Sequence, residues 1–337
     1  MSRWAPALYG HWYAVALSRD VNSSPLAVSI LDRHVVLARL PSNELIALDD
    51  RCPHRHAPLS AGRMESDCIV CPYHGWSFRS DGRLCAIPGL PADAPVPNVR
   101  VRSYATCEYD GFAWLRPGDA GAQRPNAMVR ATDPATRRFQ WSTSWPANIV
   151  DAIENFLDPM HTHFIHPGLV RRETERRPVK AEFQPGDEGF RIDYRGASAQ
   201  SGLLYRLFES ERTAERAYFA APGSTRLEYV YANGSRILID LHFTPRSQDA
   251  TDVHVALHVE GRWAPEWAVR LLVWPFLKRV NDQDAGMLRA QAGNRRRFHS
   301  GGRASSALDI VRPELERFWS DGHWYSDGKC RTIEMML

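Results

Sequence analysis

Residues 52–62 read CPHRHAPLSAG and residues 71–78 read CPYHGWSF. Within them Cys52-Pro-His54 and Cys71-Pro-Tyr-His74 form a C-x-H and a C-x-x-H separated by 16 residues, each in a turn between short apolar runs. Thiols interleaved with imidazoles at this spacing are laid out as metal ligands rather than as a disulfide framework. Two such loops can converge as fingers on one centre.

Outward from the fingers, the chain from Trp12 to Trp114 predicts an all-β module. Its expected strands are His34 to Leu40, Leu45 to Asp49, Ile69 to Tyr73, Trp76 to Arg79 and Gly111 to Leu115, with Asp81-Gly82 as a hairpin signal. Pro117-Gly118 and the polar, aperiodic stretch from Asp119 to Pro134 predict a linker. Beyond it, Ile149, Ile153, Phe156, Leu157 and Phe164 recur at three-to-four-residue spacing, which predicts a helix over Trp145 to Ile165 stopped by Pro167-Gly168. Leu227 to Ala232, Arg236 to Phe243 and Val253 to Glu260 alternate as strands, the first two joined at Asn233-Gly234, and helices are expected over about Glu266 to Arg297 and Ala304 to Ser320. The fold class expected is α+β, with an all-β domain over residues 1–118, a linker over 119–135 and a second domain, an antiparallel sheet flanked by helices, over 136–337.

Composition narrows the function classes. At 337 residues the chain can bury two cores without staples. A net charge of +3 is too mild and evenly spread for a nucleic-acid partner. Met1 to Gly10 has no basic segment followed by an apolar run, and no stretch approaches the roughly 18 apolar residues that span a bilayer. The six cysteines favour a reducing compartment. The expectation is a soluble cytoplasmic protein with no membrane partner; Cys68, Cys85, Cys107 and Cys330 are expected to be small buried hydrophobes.

Two thiolates and two neutral imidazoles are the ligand set of a [2Fe–2S] cluster with two histidines on one iron, which raises the potential to roughly −150 to +300 mV and suits an electron relay. A structural Cys₂His₂ zinc uses the same donors, but such sites usually pair Cys with Cys in one loop and His with His in the other. The zinc alternative also leaves Pro53, Pro72, Gly75 and Trp76, which shield a redox centre from water, unexplained.

The two fingers resemble the Rieske ferredoxin-like domain of ring-hydroxylating oxygenase large subunits. The resemblance implies cluster ligation by Cys52, His54, Cys71 and His74. His56 departs from the family, which often has Gly or another small residue there; it is a competing donor on paper, with C-x-H spacing favouring His54.

A second site separates an oxygenase from a ferredoxin. Glu154 to His166 matches Glu/Asp-x₃-Asp-x₂-His-x₄-His, the pattern of the mononuclear iron site in these oxygenases, where two imidazoles and a carboxylate leave open positions for O₂ and substrate. A five-residue step turns an ideal helix by about 140° beyond one full turn, so His161 and His166 share a metal only where the helix is distorted or ends. His163 is a substitute ligand that the spacing disfavours. Gln283-Asp284, with Gln291 seven residues on, resembles the family segment carrying the carboxylate; this implies Asp284 as third ligand, with Asp282 as fallback. By the same resemblance Asp158 bridges cluster and iron, its carboxylate accepting hydrogen bonds from His161 of its own subunit and from His74 of a neighbouring one. Glu154 and Asn155 are weaker second-tier candidates.

The resemblance covers nearly the whole chain and lies on the vanillate and dicamba O-demethylase and methylxanthine N-demethylase branch. It implies a monooxygenase that hydroxylates or demethylates a small organic substrate with O₂ and electrons from an NAD(P)H-dependent reductase, directly or through a ferredoxin, in a head-to-tail homotrimer. The alternatives are aromatic-ring cis-dihydroxylation and, in another class, a Rieske electron-transfer protein without oxygenase activity. The substrate pocket is expected on the sheet of the second domain, with Tyr229, Tyr231, His242, His254 and His258 as candidate orienting groups. Arg171-Arg172, Arg176-Arg177 and Arg295 to Arg297 are candidate docking charges for an acidic electron donor, although charge clusters of this kind are usually plain solvated surface.

Overall fold

The computed structural model of the chain describes residues 4–91, 93–126, 128, 136–171, 176–196, 211–261, 267, 271, 273–298 and 303–337. They fall into two compact units. Residues 129–135 of the expected linker, Glu266 at the expected start of a helix, and Arg172 lie outside the described residues.

One unit spans Pro6–Pro125 and takes in Thr244–Gln248. It is all β: β1 (Tyr13–Leu17), β2 (Leu26–Ile30), β3 (Arg33–Arg39), β4 (Leu45–Asp49), β5 (Arg63–Glu65), β6 (Cys68–Val70), β7 (Ser77–Arg79), β8 (Leu84–Ala86), β9 (Ala105–Tyr109) and β10 (Phe112–Arg116). They form antiparallel sheets β1-β10-β9, β2-β3-β4 and β5-β6-β7-β8. The expected strand from Ile69 to Tyr73 is shorter than its apolar run suggests. The chain leaves the ladder after Val70 because Pro72 has no N–H to give it, and Cys71 to His74 become a loop. The Asp81-Gly82 turn joins β7 to β8; Gly82 has φ +82°, and a Cβ there would lie 1.9 Å from the Val101 carbonyl oxygen, so only glycine fits. Val36, Leu48, Leu59, Ile69 and Phe78 form the core of this region, and the sulfur-bearing Cys52 and Cys71 are part of it. Each such side chain contributes about 1.5–3 kcal/mol on burial, so the fingers are rooted in packed apolar structure.

The second unit holds Trp4 and Ala5, residues 126–243 and residues 249–337. Its centre is an eight-stranded antiparallel sheet in the order β11-β17-β16-β15-β14-β13-β12-β18, made of β11 (Arg137–Trp145), β12 (Pro178–Gly186), β13 (Gly189–Arg195), β14 (Arg212–Ala220), β15 (Ser224–Tyr231), β16 (Arg236–Ser247), β17 (Ala250–Glu260) and β18 (Arg331–Met336). Among the described residues the helices are α1 (Ile149–Leu157), the single turn α2 (Thr162–Ile165), α3 (Trp274–Phe298) and α4 (Arg312–Asp321). No described helix is long and apolar enough to cross a membrane.

The continuous helix expected from Trp145 to Ile165 is three pieces. Trp145 ends β11, and Asn148 caps α1, its side-chain oxygen accepting from the Asp151 N–H at 2.9 Å. Pro159 disfavours helical geometry at Asp158, whose ψ of 113° takes the chain out of α1 before α2 begins. Asp151, 4% exposed, meets Arg312 at 2.7 Å and Arg303 at 3.7 Å and also pairs with Arg295, which ties α1 to the C-terminal helices. Arg295 is therefore engaged within the chain rather than free for docking. The last helix starts at Arg312 rather than Ala304, with Pro313 in its first turn, where its missing N–H costs nothing.

Candidate metal centres

The two fingers are built on one backbone pattern. The Cys52 N–H donates to the Ala57 carbonyl (2.8 Å) and the His56 N–H returns to the Cys52 carbonyl (2.9 Å); the Cys71 N–H donates to Trp76 (2.8 Å) and the Gly75 N–H returns to Cys71 (3.1 Å). His56 and Gly75 occupy the same corner, both left-handed, with φ of +61° and +71°. The family's small residue at this position thus has a backbone reason, and the exposed His56 is a turn residue.

Cys52 and Cys71 are 1% and 3% exposed, whereas His54 is half-buried and His74 exposed at the rim. The two imidazoles lie 4.6 Å apart centre to centre, and Trp76 stacks on His54 at 4.7 Å with a 6° interplanar angle. Partial desolvation, with His74 and Arg55 nearby, holds His54 below its ordinary pKa, so it is neutral and able to offer a lone pair. Burial pushes the Cys52 thiol up, a cost that an adjacent cationic centre would reverse by drawing off the proton. Two sulfurs set in the core beneath two imidazoles fit the donor set of the histidine-ligated [2Fe–2S] centre.

In the second unit the structure brings His161, His166 and Asp284 together, one ligand atom from each lying within 4.8 Å of the others. The break at Pro159 and the end of α2 at His166 remove the helical-phase problem: the two histidines flank a single turn, with ring centres 5.4 Å apart. Asp284, one of the two buried residues of α3, points its Oδ1 at His166 Nε2 (3.0 Å) and His161 Nε2 (3.5 Å).

Each imidazole is oriented from behind. The His161 Nδ1–H donates to the Asp158 main-chain carbonyl (2.6 Å), which can only accept, and the His166 Nδ1–H donates to Gln283 Oε1 (2.9 Å). With Nδ1 carrying the proton, both Nε2 lone pairs face Asp284 Oδ1. His166 Nε2 and Asp284 Oδ1 are buried without a properly aligned hydrogen bond, as expected of atoms whose partner is a cation between them. The residues present fit a 2-His-1-carboxylate iron site.

The alternatives fall elsewhere. Asp282 is exposed and paired with Lys278 at 2.8 Å. His163 is buried but outside the group of three. Asp158 corrects one expectation: its backbone carbonyl, not its carboxylate, meets His161, while Oδ1 accepts from the Met160 N–H at 2.8 Å. The carboxylate folds back because Asp158 is the first residue past α1 and caps the turn that Pro159 forces. Burial, opposed by the Met160 N–H, raises its pKa. Glu154 pairs with Arg312, away from the three ligand atoms, and burial pushes it up to about 7.

Beside His161, His166 and Asp284 opens a cavity of about 140 Å³. Its walls are largely apolar: Trp141, Phe156, Leu227, Ile239, Leu241, Val253, Val255 and Leu277, with Asn155, Thr162, Tyr229 and Asn281 as polar points. The Trp145 indole N–H holds Asn281 Oδ1 at 2.9 Å, while Asn281 Nδ2 donates to Asp282 Oδ1 at 3.4 Å. Asn155 Nδ2 is buried without a hydrogen-bond partner among the described residues.

Of the candidate orienting groups, Tyr229 lines the cavity; His242, His254 and His258 do not. Strand alternation places Ile239, Leu241, Val253 and Val255 on the cavity face and these histidines on the other, where Ser224 and Ser142 lie 2.9 and 2.8 Å from His242 and His254. Full burial keeps those two neutral, lowering them to about 4 and about 3. Tyr231 is buried beside Arg212, outside the cavity wall.

Sequence reasoning gave no role to Gln283, although it named it beside Asp284, and passed over the buried pair Arg171–Glu215 (3.1 Å). Arg171 is 6% exposed, so it is not a docking charge; Glu215 also binds Arg212 at 2.7 Å. Two half-buried cysteines, Cys68 and Cys85, have their sulfurs 2.8 Å apart, Cys107 is half-buried, and Cys330 is exposed, so the expectation that all four are buried hydrophobes does not hold.

Comparison with known proteins follows the same division. Residues 11–105 match the Rieske [2Fe-2S] domain, and residues 145–311 match the vanillate O-demethylase oxygenase C-terminal domain. Similar curated proteins include the dicamba O-demethylase oxygenase component of Stenotrophomonas maltophilia, 34% identical over 158 residues (46% of each chain). Methylxanthine N1-demethylase NdmA of Pseudomonas putida is 32% identical over 181 residues (50% of this chain, 49% of the relative). The chain thus spans about half the length of these relatives in the matched region. Among solved structures, dicamba monooxygenase bound to dicamba superposes with a TM-score of 0.77 at 20% identity, covering 93% of this chain and 96% of that one. Pseudomonas putida CBB5 NdmA with caffeine gives 0.77 at 23%, covering 93% and 90%. These likenesses establish a shared fold.

Proposed function

The chain belongs to the Rieske non-haem iron oxygenases, and from that membership we propose that it is a terminal monooxygenase component that hydroxylates a small organic substrate or removes an O- or N-methyl group as formaldehyde. The observation that carries this reading is the His161–His166–Asp284 group at the wall of an apolar cavity. When bound, the cluster supplies single electrons and the mononuclear iron supplies open positions at which O₂ is activated.

In this reading Cys52, His54, Cys71 and His74 hold the cluster, and His161, His166 and Asp284 hold the iron. Asp158 and Gln283 fix the imidazole tautomers through Nδ1. The aromatic and aliphatic walls exclude water and select a flat, largely apolar molecule, in keeping with the dicamba and caffeine bound by the two structural relatives. The amide donor of Asn155 would orient an acceptor atom on that molecule, such as a carbonyl or ether oxygen.

Electrons come from a separate NAD(P)H-dependent reductase, directly or through a ferredoxin. The working assembly is a homotrimer, in which the exposed His74 reaches Asp158 of the partner subunit. Asp158 relays to His161 through its own backbone carbonyl.

The test is metal content and product together. The purified chain is expected to carry about three irons. Reduced protein given O₂ and candidate methoxylated or N-methylated compounds should release formaldehyde or a monohydroxylated product. His161→Ala should keep the cluster colour, fall to about two irons and lose product. Oxygenation that survives His161→Ala with the cluster intact would overturn the iron assignment; a cis-diol product would replace monooxygenation with dihydroxylation.

A further inference from the structure

Cys68 lies in β6 and Cys85 in β8, the two strands that flank β7. Their sulfurs stand 2.8 Å apart, and Cys85 Sγ is 3.2 Å from the Ser77 carbonyl oxygen, to which its S–H donates. Both cysteines are half-buried, in contrast to the core-set Cys52 and Cys71. Nothing in the oxygenase reading uses them. We propose that Cys68 and Cys85 are an oxidative modification site, closing as a disulfide that rings the whole second finger.

The geometry asks for little movement. A disulfide holds its sulfurs about 2.05 Å apart, so each sulfur must shift by roughly 0.4 Å, which a small side-chain rotation supplies. The bond would join the strand that leads into Cys71 to the strand beyond the one that leaves Trp76, enclosing residues 71–76. Such a cross-link restricts how far the loop between them can open.

The oxidant is hydrogen peroxide, the two-electron reduction product of O₂. The Cys85 thiolate attacks one peroxide oxygen; the O–O bond breaks, hydroxide leaves, and Cys85 becomes a sulfenic acid. Cys68 sulfur then attacks Cys85 sulfur, the S–O bond breaks, and water leaves with the proton from Cys68. In sum two thiols lose two electrons and two protons while peroxide becomes two waters. Burial, reinforced by Cys85, pushes the Cys68 thiol up to about 12, which disfavours it as the first attacker.

The experiment is peptide mapping of the holoenzyme after peroxide and alkylation. Cleavage after arginine puts Cys68 and Cys71 in residues 64–79 and Cys85 in residues 84–100. The two peptides should leave the wild-type protein joined, about 2 Da lighter than their sum. Cys68→Ser should abolish the link without bleaching the cluster, and should one variant fail to fold, Cys85→Ser serves the same purpose. The oxidised holoenzyme should also lose cluster absorbance on heating a few degrees later than the reduced one. Free alkylation of both thiols after peroxide, or a link that persists in Cys68→Ser and so belongs to Cys71, would overturn the proposal. Neither outcome bears on substrate oxidation.

Discussion

Replacing Gln283 by leucine tests whether the mononuclear site is oriented from behind. Gln283 Oε1 accepts the Nδ1–H of His166 at 2.9 Å, and His166 is 1% exposed, so water cannot take over the role. Leucine has similar bulk and no acceptor. The orphaned N–H then costs about 1–3 kcal/mol, and because the protonated Nδ1 is what directs Nε2 at Asp284, the cost falls on the metal-bound state. At 1.4 kcal/mol per tenfold, that is roughly a 5- to 150-fold loss of iron affinity, overlapping the 10–100-fold typical of such outer partners. Gln283→Glu retains the acceptor and should hold iron at least as well as the wild type. The assay is iron retained against a graded chelator, read with the cluster absorbance as internal reference. Equal affinity for Gln283→Leu and wild type, or equal loss in Leu and Glu, would refute the orienting role.

Three further outcomes follow from the packing. His56→Gly should keep the cluster and leave the protein unchanged or stabilised by about 1 kcal/mol in thermal or denaturant unfolding, since a left-handed non-glycine residue costs roughly 1–2 kcal/mol; bleaching of the cluster would instead make His56 a ligand. Glu215→Gln leaves Arg171 and Arg212 buried with weakened pairing, and should cost about 3–5 kcal/mol in denaturant unfolding; a change below 1 kcal/mol would show the ion network to be idle. His242 and His254 stay neutral when folded, lowered to about 4 and about 3, while in the unfolded chain they protonate near 6.5. The unfolded state therefore binds protons first, and stability present above about pH 6.5 is lost, by several kcal/mol in all, as the pH falls toward 4. His254→Gln should flatten the midpoint-versus-pH curve in that window, and curves parallel to the wild type would rule out the effect.

Local chemistry explains which parts of this molecule could be read in advance. The ligand residues of the fingers stand within a few positions of each other, so spacing alone locates them, and Pro159, Pro167 and Gly168 mark where the iron-bearing segment leaves helical geometry. Asp284 was reachable only by resemblance, because its helix brings it to the histidines from 118 residues away and a lone buried acid has no local signature. The strands β12, β13 and β14 went unread: Arg, Glu, Lys and Gln interrupt their apolar positions because the pairs Arg216–Asp193 and Arg216–Glu228 run across the sheet. Sheet parity defeated the assignment of His242, His254 and His258. Each strand was visible, but which face would meet the cavity depends on register with its neighbours, which no single strand encodes. The Asp158 carboxylate is a smaller case of the same kind, since proximity to His161 was correct and the choice between main-chain and side-chain oxygen was settled by a turn.

The matched pair of loops around Cys52 and Cys71 has a consequence for how such a centre can change. Both sulfurs sit in the same peptide mould, closed by the same two amide contacts. What differs is only where the imidazole falls, two places after one cysteine and three after the other. Donor identity is therefore separable from folding: exchanging a side chain on either rim retunes the electron affinity of the metal pair while the mould is left standing.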